Sequence, residues 1–114
     1  MEELELAFCY QLTDISAISL LSGLRSLELV YCEEVINYSP IGQLKNLGSL
    51  WINGANDVDF AFAAELPLTS MVIANVGSVD LAPFSGKTSL GITVLSGTEI
   101  SGVGPDFRPE IIRP

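Results

Sequence analysis

The chain contains no histidine. Within these residues that excludes Ser-His-Asp and Cys-His catalysis and every His-liganded metal site. Basic residues are scarce as well: five Lys and Arg stand against 14 Asp and Glu, a formal charge of −9. Nucleic-acid binding needs cations along the phosphate backbone, so the charge argues against DNA or RNA as a partner. The same charge argues against docking on an anionic membrane. Two cysteines are too few for a disulfide framework, which fits a reducing compartment. Long apolar runs are missing too. The longest uncharged stretch, Leu66 to Val79, has 14 residues and includes Pro67, Asn75 and Gly77, whereas a spanning helix needs roughly 18 or more apolar residues. The opening Met1-Glu2-Glu3-Leu4-Glu5-Leu6 is acidic where a secretory signal is basic. A cytoplasmic domain, or a piece of a larger protein, is the expectation.

What is present is apolar and periodic. The 114 residues, 48% hydrophobic and 17% charged, suit one domain with one core. Shifted by 23, Leu4-x-Leu6-x-x-Cys9-x-x-Leu12 falls on Leu27-x-Leu29-x-x-Cys32-x-x-Val35. A further 23 gives Leu50-x-Ile52-x-x-Ala55-x-x-Val58. Two shifts of 21 then give Met71-x-Ile73-x-x-Val76-x-x-Val79 and Ile92-x-Val94-x-x-Gly97-x-x-Ile100. Leu24, Leu47 and Leu68 stand three residues upstream of their apolar pairs.

The segment Leu24-Arg25-Ser26-Leu27-Glu28-Leu29-Val30-Tyr31-Cys32 resembles the leucine-rich repeat pattern, whose period is roughly 20–29 residues. The links Leu12-Thr13-Asp14-Ile15-Ser16-Ala17-Ile18 and Tyr38-Ser39-Pro40-Ile41-Gly42-Gln43-Leu44 resemble those of bacterial internalin-like repeats. The resemblance covers residues 4–100 and implies an α/β solenoid. That is a horseshoe fragment with a parallel sheet of about five short strands and short helical or 3₁₀ turns on its convex side. Residues 1–101 are expected to form the repeat domain, and 102–114 a Pro-containing tail or cap. The family is chiefly one of binding modules with unrelated ligands.

Stacking explains the pattern, because one coil cannot bury its inward residues alone. The expected inner columns are Leu4-Leu27-Leu50-Met71-Ile92 and Leu6-Leu29-Ile52-Ile73-Val94, backed by Leu12-Val35-Val58-Val79-Ile100. Ser39 is expected as an N-cap with Pro40 at the first helical position. Phe60 to Leu66 reads as another convex turn, ended by Pro67. The position the family fills with Asn or Cys reads Cys9, Cys32, Ala55, Val76 and Gly97, so a less regular turn is expected after the second repeat. The last repeat has two registers, Ile92/Val94 or Leu90/Thr93/Leu95. Constant spacing favours the first, although the second sets Thr98 at the Asn position. Pro105, Pro109 and Pro114 forbid a continuous helix in the tail, which is expected to be extended and largely irregular. Phe107, Ile111 and Ile112 would let it fold over the last coil. At the other end Leu4 and Leu6 begin the first strand without a capping segment, an edge open to self-association and guarded by Glu2, Glu3 and Glu5.

Sites for chemistry are few. Ser85-Gly86-Lys87-Thr88-Ser89 looks like the tail of a phosphate-binding loop, but Leu81 occupies the place of its first glycine and a strand follows where a helix is required. Asn53, Asn56, Asp57 and Asp59 cluster after a strand, where Asn and Asp are ordinary turn residues, and the Ca²⁺-loop spacing is absent. Cys9 and Cys32 are register equivalents, read as inert packing. Asn37-Tyr38-Ser39 is a glycosylation sequon followed by Pro40. No cofactor, metal or catalytic residue is expected.

A protein-binding surface is a better match. The strand residues between the leucines line the concave face in three columns: Glu5-Glu28-Trp51-Val72-Thr93, Ala7-Val30-Asn53-Ala74-Leu95 and Phe8-Tyr31-Gly54-Asn75-Ser96. With only 8% aromatic residues in the chain, Phe8, Tyr31 and Trp51 concentrate there beside acids, and Tyr and Trp carry interface energy. Glu5, Phe8, Glu28, Val30, Tyr31, Trp51, Asn53 and Val72 are therefore the expected contact residues for another protein, in a non-enzymatic module. Two alternatives are an acidic inhibitor or immunity-type protein that neutralises a basic effector, and the sensing arm of a larger receptor.

Overall fold

Strand formation in this chain follows from its apolar-x-apolar pairs, which give each coil two inward side chains two residues apart. A computed structural model of the chain describes residues 2–55, 58–85, 87, 90–95, 98–102 and 110–111. Its strands are β1 (Glu3–Ala7), β2 (Ser26–Val30), β3 (Ser49–Ala55), β4 (Ser70–Val76), β5 (Ser78–Asp80), β6 (Gly91–Val94), β7 (Glu99–Ser101) and β8 (Glu110–Ile111). The main sheet runs β1-β2-β3-β4-β6-β8, and β5 pairs with β7 in a second sheet. Every pairing is parallel.

The register aligns Leu4, Leu27, Leu50, Met71 and Ile92 in one row and Leu6, Leu29, Ile52, Ile73 and Val94 in the next. These are the two expected inner columns, and the last repeat takes the Ile92/Val94 register. From the second coil onward every member is buried, whereas Leu4 and Leu6 on β1 are only partly so. Fully burying a Leu or Ile side chain contributes about 1.5–3 kcal/mol, so the central coils carry the most.

The sheet has six strands where about five were expected. The extra one is β8, from the tail, which pairs Glu110 with Thr93 and Ile111 with Val94. Of the tail, expected to be extended and largely irregular, these two residues add a short strand beside β6. Phe107 and Ile112 lie outside the described residues.

On the opposite side of each coil the chain forms 3₁₀ turns at Ser16–Leu20, Ser39–Gln43, Phe60–Ala63 and Ala82–Phe84. They shorten from five residues to four to three as the repeat shortens. Ser39 is not the cap of its turn: it lies within it, and the cap position is Tyr38. The capping oxygen comes from Asn37, whose Oδ1 accepts from the Ser39 amide at 3.1 Å. Asp14, Asp59 and Asp80 do the same for the amides of Ser16, Ala61 and Ala82 at 2.8, 3.0 and 2.9 Å. Each is an Asx turn, in which a short carboxylate or amide side chain satisfies the second amide downstream. One such residue per coil starts each convex turn.

The position occupied by Cys9, Cys32, Ala55 and Val76 is supported in different ways along the stack. The buried Cys32 thiol donates to the Leu6 carbonyl at 3.4 Å. At β4 the Val76 amide donates to the buried Thr98 hydroxyl oxygen at 3.1 Å. Thr98 thus serves the neighbouring coil while β6 keeps the other register.

Candidate binding face

Alternation along each strand turns one set of side chains away from the core. Glu5, Glu28, Trp51, Val72 and Thr93 are successive register partners in one row. Ala7, Val30, Asn53 and Ala74 form the next. Glu5 and Trp51 are exposed, while Glu28, Val30, Asn53, Val72 and Thr93 are half-buried. Ala74 was expected on this surface but is buried.

At the end of the strands the backbone reverses its hand. Phe8, Tyr31, Gly54 and Asn75 have φ of 57, 51, 76 and 52°, a left-handed conformation that costs a non-glycine residue roughly 1–2 kcal/mol. Its side chains form a ladder. The Phe8 and Tyr31 rings stack at 5.6 Å with planes 10° apart. Tyr31 lies over Gly54, where a Cβ would collide with the ring. Asn75 donates through Nδ2 to Asn53 Oδ1 at 3.0 Å. Tyr10, absent from the expected contact set, packs near Phe8 with ring centres 6.1 Å apart. Phe8 is 55% exposed, Tyr10 58% and Trp51 39%. A second aromatic two residues past Phe8 was the signal for Tyr10 in the sequence; Gly54 gave none, since its service to Tyr31 depends on ring placement.

Glu5 and Glu28 face each other on neighbouring strands. A hydrogen bond with Glu5 raises the Glu28 carboxyl above its usual range, with burial and the Glu5 charge adding to the effect. Like charges directly opposite destabilise a sheet by about 0.2–1 kcal/mol. None of the five bases falls in the three columns. Arg25 forms an exposed pair with Glu2 at 3.3 Å, and the Lys45 ammonium donates to the Gly42 carbonyl at 3.0 Å.

The other residues weighed for chemistry are placed as follows where they are described. Asp59 accepts a hydrogen bond within its own coil and Asn53 accepts one from Asn75 on the next, while Asn56 and Asp57 lie outside the described residues. Among the described residues no group of three His, Cys, Asp or Glu is placed to hold a metal. Lys87 donates its amide to the Phe84 carbonyl in a turn; Gly86, Thr88 and Ser89 are not described. Cys9 and Cys32 are free thiols, and burial raises the Cys32 pKa. Asn37 of the sequon accepts the Ser39 amide hydrogen at the start of its turn. No helix among the described residues is long and apolar enough to cross a membrane.

The coil geometry has a solved counterpart. The crystal structure of internalin C2 from Listeria monocytogenes superposes with a TM-score of 0.74 over 100% of this chain, at 23% sequence identity. The fold is an internalin-like leucine-rich repeat. The domain spans about half of that internalin chain, 52% of its length. No family model and no curated protein matches the sequence. The row from Glu5 to Thr93 shares its strands with the buried columns and alternates with them.

Proposed function

We propose that this leucine-rich repeat domain is a non-enzymatic protein-binding module. Its concave face takes the partner through Glu5, Phe8, Glu28, Val30, Tyr31, Trp51, Asn53 and Val72. The observation that carries this reading is the fixed aromatic surface. Phe8 is stacked on Tyr31, Tyr31 is seated on Gly54, and Trp51 stands exposed in the Glu5-to-Thr93 row, beyond the row of Val30 and Asn53. Rigid, partly exposed aromatics make binding anchors because they lose little conformational freedom on association.

The test is affinity capture from the native cell, comparing the parent domain with Tyr31→Ala/Trp51→Ala and with a convex-side control, Leu20→Ala. Circular dichroism checks that each variant is folded. Loss of ~2 kcal/mol or more at an anchor means the concave variant retains the partner about 30-fold less tightly, while the control retains it normally. Undiminished capture by the concave variant sinks the reading. An inhibitor that neutralises a basic effector is a special case of it, favoured by the −9 charge and by the facing Glu5 and Glu28.

A further inference from the structure

The row across the first three strands reads acid, acid, indole. Glu5 and Glu28 are register partners, and Trp51 is the register partner of Glu28 on the other side. Neighbouring strands lie about 4.8 Å apart, so two carboxylates and an aromatic ring follow one another at side-chain distance. A recess of about 400 Å³ lined by Glu3, Leu4, Glu5, Ser26 and Glu28 opens beside the carboxylates. Of the three described cations, Arg25 pairs with Glu2, Lys45 donates to a convex-side carbonyl, and Lys87 follows the Ala82–Phe84 turn. The aromatic face thus carries a negative row that no described base of this chain neutralises.

We propose that the occupant of this face is a basic protein segment, and that an arginine from it lies across the Glu5–Glu28 pair with its guanidinium against Trp51. This rests on the concave-face reading above and names the chemistry of the partner. Charge complementarity decides for a basic occupant, because a net charge of −9 steers cationic proteins toward the domain and repels acidic ones. Arginine suits the row better than lysine. Its planar fork has five donors, enough to reach both carboxylates, and its flat face stacks on an aromatic ring. A lysine ammonium is a compact, strongly hydrated point charge that meets one carboxylate at a time. Cation–π attraction is strongest over tryptophan, and the indole ends the row on the side away from the recess.

Trp51 is the sole tryptophan, so its emission reports occupancy of the row. The experiment titrates the intact domain with tryptophan-free hexa-arginine, hexa-lysine and hexa-glutamine peptides, following Trp51 fluorescence with calorimetry in parallel. Hexa-arginine is expected to bind saturably and at least about 10-fold more tightly than hexa-lysine, with no binding of hexa-glutamine. Glu5→Gln/Glu28→Gln should lose at least about 10-fold in hexa-arginine affinity. Glu34→Gln/Glu65→Gln removes the same charge from elsewhere on the domain and should lose less than about 2-fold. Equal affinity for the two cationic peptides, equal losses in the two double variants, or absence of calorimetric binding to hexa-arginine would overturn the proposal. The two readings fail separately. If cellular partner capture depends on Tyr31 and Trp51 but is indifferent to Glu5→Gln/Glu28→Gln, the face binds proteins and the arginine assignment is wrong.

Discussion

A single hydrogen atom at position 54 decides whether the aromatic ladder can form. Gly54 has φ of 76° and supports the Tyr31 ring where a Cβ would stand. Gly54→Ala should therefore destabilise the domain by at least ~1–2 kcal/mol from the left-handed backbone alone, read as a lower urea midpoint. It should also move Tyr31, seen as altered near-ultraviolet dichroism; an unchanged midpoint and spectrum would place the ring elsewhere. The carboxylates of the same face give a pH signature. Glu28 has a raised pKa in the fold, so its contribution is fully present below the ordinary glutamate pKa and is lost as pH rises through the raised value. Asp14 works in the opposite sense. The Ser16 amide lowers its pKa, so its contribution is present above the ordinary aspartate pKa and is lost as pH falls through the lowered one. Glu28→Gln should stabilise the domain at neutral pH by about 0.2–1 kcal/mol and remove the part of the pH dependence that favours acid. Melting temperatures from pH 3 to 8 check this; a Glu28→Gln curve parallel to that of the parent would exclude the Glu5–Glu28 repulsion.

The strands and the convex turns differ in how legible they were. Alternating apolar residues mark the strands directly, and burial enforces the register because a slip of one residue would turn every inward side chain to solvent. Leu29→Ala and Ile52→Ala should each cost ~2–5 kcal/mol, from two neighbouring strands in the same buried row. Unchanged melting temperatures for both would mean the register is wrong. The turns were harder to read because Ser39-Pro40 has the chemistry of an α-helix start, while the chain makes a 3₁₀ turn opened by Asn37. The spacing of Asp14, Asn37, Asp59 and Asp80 by 23, 22 and 21 residues was visible. Its meaning was not, since Asn and Asp are common in every kind of turn. Asp59→Ala should cost ~0.5–2 kcal/mol by removing a capping acceptor, and Asp59→Asn should recover most of it. Equal losses in the two variants would show that the charge, rather than the amide contact, is what matters. The two outward rows of the strands were legible for the same reason as the core, as its mirror set. The ladder beyond them was only partly so, because left-handed backbone at Phe8 and Tyr31 has no compositional mark.

Across the whole molecule the two ends of the sheet are unlike. At one end β8 covers β6, while at the other β1 stands outermost in the strand order with Leu4 and Leu6 only partly buried. We expect the isolated domain to self-associate through this edge at high concentration, with Glu3 and Glu5 keeping the association weak. Light scattering over a rising concentration series should show the mass increase. A monomer throughout, with the Leu4 amide exchanging as fast as in an unfolded chain, would exclude edge-mediated assembly. The same asymmetry gives the stack a direction. Coils in a solenoid hold only their neighbours, so the molecule opens as a zipper does, one tooth at a time from the loose end. Amide exchange in the dilute domain should slow from β1 to β2 to β3, in the order of the chain. The first tooth carries Glu5 and Phe8, which makes the part of the proposed binding face that frays soonest the part that a bound partner would hold shut.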